Sequence, residues 1–468
     1  MNNKVQQTIG YLPDERPSFW KLLLYALQQV IVMFPATVAV AIITGFYIST
    51  TIFASGLATI CFILVTGRKI PLYYGSSFSY VAAIGGLMAS DALSGMLLDE
   101  KIAVAQFGII MSGLVSIAAG FIVKGFGRKS IEKVLPASVT GPIAMIIGLT
   151  LASNALSDIC SVKLDTVGNV IAQDTATVSA ANMAWTIGLV TLIATILLSV
   201  YLKGFWGQLP LLLGPIIGCF VAFIIQWTSG ISLFKMLPET ANAGIFALPH
   251  FTLPKVSWVA VAAIMPIAIA TIPESTAHVF QLEIYVNDLA KKKGTDKRYN
   301  IADKLGLNLI GDGIGDMISG FVGGPAGTNY GENISAMAIT RVFSIWVLIG
   351  ASIIAMLIAC FTPLINAIYG IPTAVIGGLE VYLFGAIAAQ GIAIMIEKRV
   401  DMFSAKNIAV IATIMIIGVG GQYAFGGNIP FFGIQVPCVA GAAIFGIIIN
   451  LLLGIGEKKK TGGDAEQA

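Results

Sequence analysis

Charge is what this chain has least of. Of its 468 residues, 24 are acidic and 27 basic, together 11% of the sequence, where a soluble chain carries about a quarter. Histidine occurs twice and cysteine five times. Two histidines, with no His-Glu-x-x-His, are too few donors for a usual zinc centre. Cys61, Cys160, Cys219, Cys360 and Cys438 are odd in number and far apart, four of them in apolar stretches. That argues against a disulfide framework or a metal knuckle. No basic patch interleaved with aromatics points to nucleic acid. Met1 to Pro17 is polar and the apolar run after it is long, so the start does not read as a secretory signal.

What the chain does have is hydrocarbon. Apolar residues make up 57% of it, glycine supplies 51 positions, and the mean hydropathy is +0.88. Apolar stretches of membrane length recur from Trp20 to Leu453. A water-soluble fold cannot hide that much apolar surface, so the expectation is an all-α polytopic membrane protein. A β-barrel is excluded, because the runs are continuous and lack period-two alternation.

Reading the apolar runs between polar breaks predicts spans near 18–44, 47–66, 71–89, 101–123, 131–156, 180–202, 205–229, 257–287, 300–322, 328–338, 340–363, 372–397, 406–424 and 430–454. That is fourteen transmembrane segments, two of them short or irregular. With the N-terminus inside, 23 of the 27 basic residues fall on the inner side and only Lys101, Lys163, Lys235 and Lys255 outside. One missing span would move every later loop across the membrane and destroy that split. Both termini are therefore expected in the cytoplasm, with the protein spanning the cell membrane. The outer loop 154–179 carries Asp158, Asp165 and Asp174 against Lys163, and the Lys-rich tail after Gly456 reads as a stop-transfer anchor.

Two segments are broken. Pro71-Leu72-Tyr73-Tyr74-Gly75-Ser76-Ser77-Phe78 and Gly323-Gly324-Pro325-Ala326-Gly327-Thr328-Asn329-Tyr330-Gly331-Glu332-Asn333 both place Tyr-Gly and two polar residues at membrane depth. Glycine and proline disfavour a continuous helix there, and non-helical backbone must then be buried or line a cavity. The breaks fall in spans three and ten, corresponding positions of two seven-span halves. An odd number of spans inverts one half relative to the other, giving a 7+7 inverted repeat, and paired breaks of this kind point to a midplane transport site. Small-residue packing seams are the alternative reading.

Glu274 and His278 lie mid-way along span eight, four residues apart and so on one helix face. Charged groups at that depth cost about 2.5–3.5 kcal/mol or more each, so they are kept where they function or are paired. Glu332 in the second break adds a carboxylate. Two carboxylates with no lysine or arginine beside them disfavour an anion. They suit a planar neutral molecule with N–H donors, such as a nucleobase, whose carbonyls would meet backbone N–H groups near Phe78 and Gly331; a cation fits as well. Asp312 and Asp316 in span nine read as a helix cap or polar seam, with ion coupling as the alternative. Glu380 in span twelve reads equally as a gate or relay group and as a partly exposed helix end. Glu283 and Asp288 read as solvated.

The stretch Asn329-Tyr330-Gly331-Glu332-Asn333-Ile334-Ser335-Ala336-Met337-Ala338-Ile339-Thr340-Arg341 resembles the signature of the nucleobase–ascorbate transporter family, in particular its bacterial uracil permease branch. Lys69-Ile70-Pro71 with Gly75-Ser76-Ser77-Phe78, the run from Leu27-Gln28-Gln29 to Met33-Phe34-Pro35-Ala36-Thr37, and the Glu-x-x-x-His of span eight resemble the same branch. The resemblance implies a core domain (spans 1–4 and 8–11, residues 1–130 and 251–363). It also implies a gate domain (spans 5–7 and 12–14, residues 131–250 and 364–468). Short antiparallel strands in spans three and ten would hold the base between the two. It further implies that Glu274 and Glu332 accept ring N–H groups and that Phe78 and Gly331 donate backbone N–H bonds. Tyr330 and Ala36 would line the pocket, and His278 would couple protons with Glu274. Members are commonly dimers joined through the gate domains, and no cofactor is implied. Gln29, Pro35, Ser335 and Glu380 depart from the branch's usual residues and bear on which base is carried.

The expectation is thus a secondary active transporter, not an enzyme, that imports uracil with protons by alternating access. A purine or xanthine permease of the same family is the closest alternative, and an anion exchanger of the same fold a more distant one.

Overall fold

The computed structural model describes residues 10–127, 133–160, 175–203, 206–235, 244–432 and 434–455. Lys4, Arg128, Lys129, the domain boundary at 130 and 131, Lys163, Asp165, Asp174 and the tail after Gly456 with Lys458, Lys459 and Lys460 lie outside the described residues.

The described chain is mostly helical. It runs α1 (Phe19–Thr44), α2 (Ile48–Val65), β1 (Tyr74–Ser76), α3 (Val81–Met88), α4 (Leu98–Phe126), α5 (Ala137–Thr150), α6 (Ala152–Cys160), α7 (Thr175–Tyr201) and α8 (Pro210–Ser229). It continues with α9 (Trp258–Ile264), α10 (Ala268–Lys292), α11 (Leu305–Val322), β2 (Gly327–Asn329), α12 (Gly331–Thr340), α13 (Ile345–Ala359) and α14 (Thr362–Tyr369). The last elements are α15 (Thr373–Glu397), α16 (Ala405–Phe425), β3 (Asn428–Phe431), β4 (Ile434–Pro437) and α17 (Cys438–Ile455). Ten helical stretches among the described residues are long and apolar enough to cross a membrane. The protein is a multi-pass membrane protein.

Several stretches read as single spans are divided, 131–156 among them, into α5 and α6. Residues 257–287 form α9 and α10, separated by a 3-10 turn at Met265–Ile267 where Pro266 interrupts the ladder. The stretch 430–454 begins as the hairpin β3–β4 and turns helical only at Cys438. Its strands are apolar enough to pass for helix in a run-length reading, since periodicity cannot separate short apolar strands from helix.

The helices pack in two sets. In one, α4 lies along α11, α2 along α13 and α11, and α1 along α13. In the other, α15 packs on α5, α6 and α7, α16 on α5 and α17, and α7 on α8. Close approach is made by glycine. A Cβ on Gly113 would sit 2.4 Å from the Gly313 carbonyl, and one on Gly313 would sit 2.3 Å from the Gly113 carbonyl. The α4–α11 seam therefore brings backbone against backbone, the packing that small residues permit in lipid.

Residues 10–16 bind across one end of the first set, hereafter the N-terminal face. Tyr11 bridges Val342, Lys293 donates to Glu15 at 2.6 Å, and Lys297 and Tyr299 both donate to Asp14.

Candidate functional site

The two broken segments meet. β1 and β2 pair antiparallel in the register Tyr74↔Asn329, Gly75↔Thr328, Ser76↔Gly327. The ladder continues through Tyr330 N–H to the Tyr73 carbonyl (2.9 Å) and Ser77 N–H to the Ala326 carbonyl (3.0 Å). A two-stranded ribbon leaves outer backbone edges, and in hydrocarbon each open group costs several kcal/mol. Side chains from neighbouring helices close them. Ser55 and Thr59 of α2 donate to the Tyr74 carbonyl, both at 2.9 Å, and Thr59 Oγ1 accepts the Tyr74 N–H at 3.0 Å. Asp316 of α11 accepts the Gly327 N–H at 2.8 Å and the Tyr74 hydroxyl at 2.5 Å.

Asp312, one helical turn earlier, accepts from Ser275 (2.6 Å), Asn308 (3.2 Å) and Asn329 (3.2 Å). Both aspartates thus form a buried seam that fixes the ribbon to α10 and α11. Glu283, read as solvated, accepts the Ala302 N–H at 2.6 Å and is partly buried, because the loop before α11 folds back onto α10. Asp288 pairs with Lys292 at the surface. Glu380, read as a possible helix end, is fully buried.

The ribbon runs on both sides into helix starts that face a cavity of about 330 Å³. One wall is Phe78, Ser79, Glu274, His278, Gly331 and Glu332; the other includes Thr140, Ile147, Ile387 and Gln390 from the second helix set. Phe78 opens a 3-10 turn and Gly331 opens α12, so their N–H groups belong to the first turn, where no intrahelical acceptor exists. Such positions are donors with positive dipole ends. Glu274 accepts from the Ser79 hydroxyl at 3.4 Å. His278 lies beside the Asn329 backbone, and its Nδ1 has no hydrogen-bond partner among the described residues. A Cβ on Gly331 would lie 2.9 Å from His278 Nε2, so glycine is what lets the helix start approach the imidazole.

Five of the residues singled out from sequence, Glu274, His278, Glu332, Phe78 and Gly331, border this cavity. Tyr330 and Ala36 stand one layer behind. Tyr330 is buried, its hydroxyl donating to the Ser76 carbonyl at 3.0 Å and lying 2.9 Å from Thr37 Oγ1. Ala36 is buried in the same apolar cluster as Tyr330. Gln29 receives Asn333 Nδ2 on its side-chain oxygen at 2.8 Å and so steadies the start of α12. Sequence reasoning missed the second wall. Its signal in the sequence is a polar residue within each apolar run, Thr140 in α5 and Gln390 in α15.

No lysine or arginine lines the cavity among the described residues. The arrangement offers two carboxylate acceptors, two backbone donors and one imidazole, and no metal-binding cluster occurs among the described residues.

Solved structures place this architecture. The murine Slc26a9 anion transporter in its inward-facing state matches with a TM-score of 0.64 and 13% identity, over 94% of this chain and 69% of that one. The transmembrane domain of the cyanobacterial bicarbonate transporter BicA matches at 0.58 and 14% identity, over 94% and 99%. At that identity the likeness is one of fold, and the fold is that of multi-pass transporters. The sequence narrows it further: residues 20–427 match the profile of the Permease family, to which the chain belongs. The uracil permease of Bacillus caldolyticus is 33% identical over 447 residues, 94% of each chain. Those of Bacillus subtilis (strain 168) and Escherichia coli (strain K12) are each 31% identical, over 96% and 97% of each chain. These relatives are permeases, and the protein is a transport protein rather than an enzyme.

Proposed function

We propose that the protein imports a nucleobase, with uracil as the preferred cargo, across the cell membrane in symport with protons. One observation carries the reading: Glu274 and Glu332 face one cavity with the first-turn N–H groups of Phe78 and Gly331. Carboxylates match ring N–H donors, backbone N–H groups match ring carbonyls, and uracil presents both along one edge. An anion would meet two carboxylates and no side-chain cation. Tyr330 and Ala36 back the pocket, and His278, one turn after Glu274 and with no partner for its Nδ1 among the described residues, takes part in the proton step.

Alternating access is supported by asymmetric closure. The cavity extends towards the N-terminal face, where Thr140, Gln281 and Ile394 border it. On the opposite side it is capped by an apolar cluster in which Ala39, Val40 and Val81 pack on Leu151, Leu383 and Phe384. With both termini in the cytoplasm, this is an inward-facing arrangement. The two helix sets support core and gate domains built from spans 1–4 with 8–11 and from spans 5–7 with 12–14.

Counting β1–α3, α5–α6, α9–α10, β2–α12 and α13–α14 as spans three, five, eight, ten and eleven gives fourteen crossings, and the packing supports a 7+7 inverted repeat. Adding seven to or subtracting seven from the span numbers turns the α2–α13 contact (spans 2 and 11) into α4–α11 (4 and 9), α7–α15 (6 and 12) into α5–α16 (5 and 13), and α7–α8 (6 and 7) into α16–α17 (13 and 14). The β1–β2 and α5–α15 pairs map onto themselves. The lipid-facing gate helices supply the surface for a homodimer.

Uptake of radiolabelled uracil into proteoliposomes under an inward proton gradient tests the reading, with unlabelled adenine, guanine and xanthine as competitors. Gradient-dependent accumulation blocked by uracil alone is expected, and Glu274→Ala and Glu332→Ala should each abolish it. Near-wild-type uptake by correctly inserted variants would overturn the site. A purine or xanthine cargo has one observation in its favour, Ser335 on the cavity wall beside Glu332, and flux of a purine without uracil uptake would establish it.

A further inference from the structure

Glu380 lies in α15, outside the cavity just described, and is 0% exposed. Neither of its carboxylate oxygens has a hydrogen-bond partner among the described residues. The helices packed against α15 are α5, α6, α7 and α8, and across them the one Asp, Glu, Lys, Arg or His is Asp158 of α6. Asp158 and Lys235 are the charged groups that act on Glu380. Contact with α6 is tight at this level: a Cβ on Gly377 would fall 2.2 Å from the Ile159 nitrogen. Lys235 is exposed and is held by its own N–H to the Gly370 carbonyl at 3.1 Å, just before α15 begins. It is also the one charged residue lining a second cavity, of about 220 Å³, between Gly45, Phe46, Tyr47 and Leu98 on one side and Ile368 and Tyr369 on the other.

An ionised carboxylate sealed from water with no donor on either oxygen costs several kcal/mol, so the arrangement seen requires a neutral Glu380. A metal ion in its place would need several oxygen ligands. On the helices packed against α15, Asp158 is the one other carboxylate. Glu380 is also mechanically placed. Its chain neighbour Leu379, with Leu383 and Phe384, belongs to the apolar cluster that packs on Ala39, Val40 and Val81 and caps the nucleobase cavity.

We propose that Glu380, with Asp158 and Lys235, is a second proton-binding site, separate from the Glu274–His278 pair, whose occupancy holds this cap closed. The proton arrives from the face opposite the N-terminal one. When the cap opens, Glu380 gains water, gives up its proton and is balanced by the Lys235 ammonium; reprotonation lets the cap repack. The cap's opening rests on the alternating-access reading above, but the test needs no transported substrate.

A cysteine in the cap (Ala39→Cys) is labelled with a maleimide in detergent-purified full-length protein across the pH range. Labelling is read by mass spectrometry of its own peptide and normalised to Phe432→Cys, a position 94% exposed. Labelling should be low at acidic pH and rise as pH increases. In Glu380→Gln it should stay low throughout. Lys235→Met removes the counter-charge and should move the midpoint to higher pH, and Asp158→Asn should move it to lower pH, each by about one unit. A Glu380→Gln profile that superimposes on its parent, a flat parent profile, or neighbour variants that shift the midpoint in the same direction would each overturn the proposal. Should Glu380→Gln fail to fold, the opposed shifts of the two neighbour variants still decide it. Failure of uracil uptake would count against the nucleobase reading and leave this test intact.

Discussion

Removing the Tyr74 hydroxyl isolates the bond that fixes the first broken segment to the second half of the chain. Tyr74 donates to Asp316 at 2.5 Å, and the two residues are 1% and 2% exposed. Tyr74→Phe keeps the ring packed over Gly315, where a Cβ would meet it at 2.5 Å, so the loss is that of the hydrogen bond alone. A bond to a carboxylate contributes about 1.5–3 kcal/mol in soluble proteins. Polar pairs in membrane helices average about 0.6 and reach about 1.7 kcal/mol, because the unfolded state in the membrane also finds partners. Full burial and the charge on the acceptor place this pair at the upper end. A double-mutant cycle of Tyr74→Phe and Asp316→Ala should therefore give a coupling of about 1.5 kcal/mol, close to tenfold in the folded-to-unfolded ratio. The assay is equilibrium unfolding in mixed micelles of rising SDS content, followed by circular dichroism. Because the bond positions the ribbon that leads to Phe78 and Gly331, nucleobase affinity should fall in Tyr74→Phe as well. Coupling below about 0.5 kcal/mol, with the single changes additive, would refute the reasoning.

Gly313→Leu would drive a side chain into the Gly113 carbonyl across the α4–α11 seam, and the monodisperse yield on size exclusion should collapse. The same change at Gly385, whose Cβ would meet nothing within 4 Å, should be tolerated. At the N-terminal face, burial raises the Asp14 carboxyl, but hydrogen bonds from Lys297 and Tyr299 outweigh it and hold the group below its ordinary value of 3.8. A depressed carboxylate stabilises the fold above that value and loses its effect as pH falls through the lowered one. Asp14→Asn should therefore weaken hydrogen-exchange protection of residues 10–17 at neutral pH, and the difference from wild type should vanish in acid below the carboxylate range. An equal difference at both pH values would contradict this account.

Much of the helical framework was legible in the chain because hydrocarbon thickness imposes a length on each apolar run. The run read as 18–44 is the helix Phe19–Thr44, and that read as 372–397 is Thr373–Glu397. The broken segments were legible for the complementary reason, that Gly, Pro and Tyr-Gly at membrane depth cannot continue a helix. Glu274 and His278 followed from spacing, which puts both on one face of α10.

What spacing could not decide is where each side chain turns. His278 Nε2 lies against Gly331, which is placed there because β2 pairs with a strand more than 240 positions away in the chain. Asp312 and Asp316 were ambiguous for the same reason. In α11 alone they are two acids on a glycine-rich face, and the partners that make them a seam come from α10, β1 and β2. The second wall, with Thr140 and Gln390, and the sealed position of Glu380 are equally non-local. Run length and residue type, set by the solvent around the chain, determine which segments cross the membrane and which break. Long-range packing brings one segment's backbone donors to another's carboxylates, and that was for the tertiary structure to decide.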